Sequence, residues 1–239
     1  MPTNYDRMLA SAQALFLGYD QEAIIRRWDL KHDPDFLYAE YMGQRLRIDR
    51  RTGGIGHAEE PAPGEYRAAS FVNEGMALFD LLTYAPLRPV PAGRWSSISA
   101  LGGIIGAGHD RTLSHESTAA QFQGRSDALA RACERLGGVA TGKADVGYAI
   151  PVFRDFGILF QFWDGDDEFP AAIKYLFDAN ALQYMRYETL WYVMNSLSTR
   201  LAFYTNDFRR SPSDSAGPRD PASRRSANRG QFNERGSGL

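Results

Sequence analysis

Between Asn4 and Leu17 the apolar residues Met8, Leu9, Ala12, Leu15 and Phe16 recur at spacings of three and four, which predicts a helix that Asn4 opens and Gly18 ends. A second, shorter helix follows from Asp20, with Ile24, Ile25 and Trp28 turned inward and Arg26 and Arg27 toward water. The period then changes. In "FLYAEYMGQRLRID" Leu37, Ala39 and Tyr41, then Leu46 and Ile48, alternate with polar residues across Met42-Gly43, as a hairpin with one buried face requires. "RTGGIGHAEEPAPGEY" is rich in glycine and proline and reads as a loop.

Beyond it, Ser70 is placed to cap a helix bearing Phe71, Met76, Phe79 and Leu82, which stops before Pro86. That helix is apolar over most of its circumference, so it belongs at the centre of the fold. "RWSSISAL" gives a short extended piece leading to a glycine-rich turn. A helical stretch from about Ser117 breaks at Gly124 and continues to Leu136, where Gly137-Gly138 supplies a stop. "DVGYAIPVF", "GILFQFW" and "AAIKYLFD" are strands separated by turn residues, most simply an antiparallel meander. A last amphipathic helix, "YETLWYVMNSLSTRLAFY", closes the pattern.

The expected class is therefore α+β: a single domain over residues 1–206, with an antiparallel β-sheet (a hairpin near 36–49 plus a C-terminal meander over 144–178) packed with helices. Residues 207–239, "DFRRSPSDSAGPRDPASRRSANRGQFNERGSGL", hold almost no large apolar side chain and are expected to form a disordered tail rich in Arg, Ser, Pro and Gly. Seven arginines against four acids give the tail a charge of about +3 (7 − 4), so the rest of the chain is near −5 against a total of −2. The chain shows no internal repeat.

Charge and cysteine content narrow the function classes. A net charge of −2 over 239 residues offers no basic face for duplex nucleic acid, so a nucleic-acid-binding role is not expected. The single cysteine, Cys133, lies on an apolar helix face, which excludes intrachain disulfides and protein-held iron–sulfur clusters and points to a buried structural thiol. No apolar run approaches the ~20 residues of a membrane span. Together these features read as a cytoplasmic protein.

Candidate chemistry is sparse. "GGIIGAG" (102–108) follows an extended segment but matches neither a dinucleotide-binding nor a Walker pattern, and reads better as a turning loop than as a phosphate cradle. His109, Asp110, His115 and Glu116 lie close together without the spacing of a zinc motif. His32 and His57 stand alone in polar stretches and receive no role. The densest feature is "FWDGDDEFP". Asp164-Gly165 is a turn signal, and Trp163 and Phe169 would anchor the flanking strands in the core. Asp166, Asp167 and Glu168 are then more acid than a turn needs. A divalent cation or a basic partner would relieve their repulsion, and one carboxyl desolvated against Trp163 would serve acid–base chemistry. The candidate ligand-binding residues are accordingly Trp163, Asp166, Asp167, Glu168 and Asp178, with Asp166, Glu168, His109 and His115 as metal candidates. A site of this kind requires Asp166 to Glu168 to line a concavity with Asp178 or with the glycine-rich loop.

The run "GILFQFWDGDDEFPAAIKYLFDANALQYM", preceded by "RACERLGGVATGKADVGYAIPVF" and "PVPAGRWSSISAL", resembles the domain of unknown function 3786 family of bacteria and archaea. The likeness spans most of residues 4–205 and is most specific from Trp163 to Asp178. It brings no activity with it. Some relatives join a cysteine-rich iron–sulfur domain similar to that of corrinoid proteins, so the resemblance implies an accessory role in anaerobic metabolism. A corrinoid-type cofactor or divalent metal, or an iron–sulfur or corrinoid protein as partner, would go with that role. Three classes stand side by side: a domain binding a small molecule, cofactor or partner; an enzyme using Asp166, Asp167, Glu168 and Asp178; and a purely structural or protein-interaction domain.

Overall fold

The computed structural model describes residues 4–58, 66–68, 72–102 and 115–207. It is an α+β fold with two antiparallel sheets. The first sheet runs in the order β1 (Lys31–His32), β2 (Phe36–Tyr41), β3 (Gln44–Asp49), β4 (Ile55–Ala58) and β5 (Tyr66–Ala68). The second has β6 (Trp95–Ser97) on one edge, then β10 (Ala172–Asp178), β9 (Phe156–Trp163), β8 (Val146–Phe153) and β7 (Val139–Ala140). The hairpin and the meander both form where the alternation places them, in different sheets. "RTGGIGHAEEPAPGEY" is only partly loop: β4 and β5 lie in it and extend the hairpin. β4, four residues with one glycine among them, and β5, three residues, are too short to show a period.

β9 is buried on both faces along nearly all its length, which is why "GILFQFW" reads as an unbroken apolar run rather than an alternation. The two sheets meet at the β2–β3 turn. Met42 and Gly43 both take left-handed backbone angles, φ 48° and 70°, the geometry of a two-residue hairpin loop. The Met42 amide donates to the Val152 carbonyl of β8 at 2.9 Å, and Met42 is itself buried. A β-carbon on Gly43 would sit 2.9 Å from the Leu136 carbonyl oxygen.

Eight helices are present among the described residues: α1 (Asn4–Leu17), α2 (Gln21–Trp28), α3 (Val72–Thr83), α4 (Ile98–Gly102), α5 (His115–Ala120), α6 (Ser126–Arg135), α7 (Ala181–Tyr184) and α8 (Tyr187–Asp207). The Asp20 side chain caps α2 by accepting from the Ala23 amide at 3.0 Å. The helical stretch that begins at His115 ends at Ala120, and the chain turns through Gly124 before α6, so the break expected at Gly124 is present. Helix α3 packs between α1 and α8 and is buried on nearly every side, and so its two acids, Glu74 and Asp80, are buried too. Asp80 accepts from the Arg186 amide at 2.8 Å, from the Thr189 hydroxyl at 2.6 Å and from the Arg186 guanidinium. It thereby caps the start of α8 from another helix, where the exposed amides of a helix N-terminus favour an anion. Ser70 and Phe71, and the tail beyond Asp207, lie outside the described residues.

Gly124 has φ 67° and open space where a side chain would go. Gly124→Ala should cost about 1–2 kcal/mol in urea unfolding, purely from the left-handed backbone. An unchanged unfolding midpoint would show that the break before α6 does not depend on that conformation.

Candidate functional site

The acidic loop is largely engaged by its own neighbourhood. Asp164 accepts from the Gly124 amide at 2.9 Å and from the Ser126 hydroxyl at 3.0 Å, and so holds the start of α6 against the end of β9. Gly165 is present for space: a β-carbon there would lie 2.7 Å from the Ala171 nitrogen and 2.8 Å from Gln123 Nε2. The turn itself is made by Asp166, whose carboxylate accepts from the Glu168 and Phe169 amides at 2.8 and 2.7 Å while its own amide donates to the Phe169 carbonyl at 2.9 Å. These amides hold the Asp166 carboxyl below its ordinary value. Expecting Asp164-Gly165 to form the turn, and Asp166 to be surplus to it, is thus corrected. Asp166 is the residue that the turn requires.

Asp167 and Glu168 point into solvent. Trp163 and Phe169 are not core anchors, being 39% and 68% exposed: Trp163 is the last residue of β9, beyond the part of the strand that is covered on both faces, and Phe169 lies in the loop after it. Asp178 sits at the far end of β10, about 20 Å from the loop at ~3.3 Å per residue. It is buried there, accepting from the Ala92, Gly93 and Asn180 amides at 2.8 Å each. Asp178 and the acidic loop therefore share no concavity. His109 and most of the glycine-rich loop lie outside the described residues, as does the side chain of His115. Among the described residues no three histidine, cysteine or carboxylate side chains converge as metal ligands would. Cys133 is buried, and burial pushes its thiol well above the ordinary range, as an inert structural cysteine should behave.

The geometry assembles a different site at the N-terminal turn of α3. Glu74 is 1% exposed, and its two oxygens take different partners: Oε1 accepts from His57 Nε2 of β4, and Oε2 from the Arg200 guanidinium of α8. Burial alone would raise the Glu74 carboxyl. The hydrogen bond from His57, with the Arg200 charge, outweighs it and holds the group below its ordinary value. Arg200 also lies over the Tyr41 ring, 5.7 Å from its centroid. Burial, and then the Glu74 carboxylate, push the Tyr41 phenol far above its usual range.

Over this cluster opens a cavity of about 390 Å³ whose lining is mainly apolar. Ser196, Arg200 and Phe203 reach it from one face of α8, spaced by four and three residues; Gln44 comes from the start of β3 and Asn73 from α3. Gln44 donates to the Tyr204 hydroxyl at the same wall. A mostly apolar hollow with a few converging polar groups is the usual form of a small-molecule site. His57 lies in a stretch whose glycines and prolines read as loop, so the sequence alone does not single out this cluster. One signal was present: a helix apolar all round that carries Glu74 and Asp80 must bury them, and buried acids demand cations.

Fold and cavity together define an α+β domain with a charged cluster at the floor of an apolar pocket. The chain belongs to the family described as domain of unknown function (DUF3786), whose model it matches over residues 20–200. That span contains His57, Glu74 and Arg200 as well as the acidic loop. No curated protein and no solved structure matches the chain. No helix among the described residues is long and apolar enough to cross a membrane.

Because the folded Glu74 carboxyl lies below its ordinary value of 4.5, its contribution to stability is full above that value and is lost as pH falls through the lower folded one. Urea midpoints from pH 7 to pH 3 should therefore fall more steeply for the wild type than for Glu74→Gln. At pH 7 that variant should itself be less stable by about 3–5 kcal/mol, since Arg200 stays buried without its partner. In the acidic loop, the double substitution Asp167→Asn, Glu168→Gln should change stability by less than about 0.5 kcal/mol, whereas Asp164→Ala should cost about 1 kcal/mol through α6. Equal effects would mean that Asp164 does not pin the helix.

Proposed function

We propose that this domain binds a small organic molecule in the cavity between the first sheet and helices α3 and α8, as an accessory binding protein. The observation that carries the reading is Glu74, a carboxylate buried between an imidazole and a guanidinium at the floor of a largely apolar pocket. A carboxylate so placed is held ionised, and it fixes its two partners at the pocket wall. Structural ion pairs need no cavity over them; this one has a cavity of ligand size. A cytoplasmic location belongs to the same reading, supported by a single buried thiol.

The test is a fragment screen by thermal shift on the full chain, repeated on Thr199→Trp. Thr199 lines the cavity from an exposed position on α8, so a tryptophan there fills the pocket without entering the core. Fragments should raise the melting temperature of the wild type and leave that of Thr199→Trp unmoved. Hits that bind both proteins equally would place binding elsewhere and end the proposal.

A further inference from the structure

Resting on that reading of the pocket, we infer that its ligand is an uncharged planar heterocycle with adjacent N–H and C=O or ring-nitrogen groups, of the lactam or amino-N-heterocycle kind. Three features carry this. The first is charge: among the described residues that line the cavity the charged pair is Glu74 and Arg200, which neutralise each other, and the His57 imidazole is engaged by Glu74 as well. An ionised ligand would lose its hydration there and find the described charges at the floor already engaged with one another. The second is shape. Phe203 lines the cavity yet is 64% exposed, a ring face left uncovered at the rim, with Tyr204 edge-on to it at 5.3 Å between centroids. An aromatic face of this kind favours a flat ring stacked on it. The third is the polar complement. Asn73 brings a carboxamide, which pairs a donor with an acceptor in one plane, the same edge that a lactam or an amino-substituted ring nitrogen presents in reverse, and Gln44, whose amide nitrogen donates to Tyr204, adds a second carbonyl.

The experiment measures affinity by NMR titration of the full chain with ring compounds of one size. Uracil and adenine are the uncharged probes, benzoate and benzylamine the charged ones, and benzyl alcohol is the uncharged ring without a paired edge. Uracil or adenine should bind saturably and more tightly than the other three. Phe203→Ala, exposed enough to leave the fold intact, should weaken that binding about tenfold through lost stacking, and Thr199→Trp should abolish it. Tighter binding of benzoate, benzylamine or benzyl alcohol, sensitive to Thr199→Trp, would overturn the ligand class and leave the pocket standing. The class also falls if other fragments occupy the cavity but neither heterocycle does, or if heterocycle binding is unchanged in Phe203→Ala. If nothing binds in a manner sensitive to Thr199→Trp, both the class and the pocket reading fail together.

Discussion

The contact on which the architecture turns is the Glu74 carboxylate shared between Arg200 and His57. It joins the first sheet, the central helix and the C-terminal helix through one group with almost no exposure to water. A carboxylate in that position is strongly disfavoured without partners, since a charge taken out of water loses far more than any single contact returns. Its two partners come from positions 57 and 200, so the charge is satisfied only when chain segments more than a hundred residues apart have met. Asp80 repeats the arrangement near the other end of α3, with Arg186 and Thr189 as its partners. Together they fasten α3 to α8 at two points. Apolar packing around an all-round apolar helix would be nearly indifferent to rotation about its axis; two buried acids fix that rotation.

Much of this was legible in the sequence, and the parts that were not share a cause. Helices α1, α2 and α8, the β2–β3 hairpin and the three meander strands carry enough residues for a period to show, and they stand where the period placed them. Gly124 and Gly137 ended helical segments because the left-handed backbone there, φ 67° and 77°, suits glycine. Strands β4, β5 and β7 have two to four residues each and show no period at all. The pairing of β6 with β10, or of β4 with β3, is set by the sheet rather than by the strand's own residues. His57 was lost with β4, and with it the sheet's contribution to the pocket.

The acidic loop misled in an instructive way. Four acids in five positions draw the eye because they are adjacent in sequence, but adjacency in a loop places side chains in different directions. Asp164 turns to α6, Asp166 back to its own turn, and Asp167 and Glu168 outward. Water solvates such charges well, and crowding them at a tip costs little. Buried acids are costly wherever they occur, so the isolated Glu74 and Asp80 of an otherwise apolar helix carried more structural information than the cluster did.

Those two acids are not equivalent, and the difference separates a fastening from a site. The Asp80 carboxylate accepts three donors, one of them the backbone amide that starts α8, which leaves little capacity for anything further. Glu74 accepts two among the described residues, one on each oxygen, where an ionised carboxylate has about four lone-pair positions. It also lies against a mainly apolar cavity into which a few amides and hydroxyls and an exposed aromatic ring converge. A junction alone would be tighter with that space filled by side chains, because a cavity forfeits the contacts its lining would otherwise make. The space kept open over Glu74 is therefore what distinguishes a binding pocket from an ion pair.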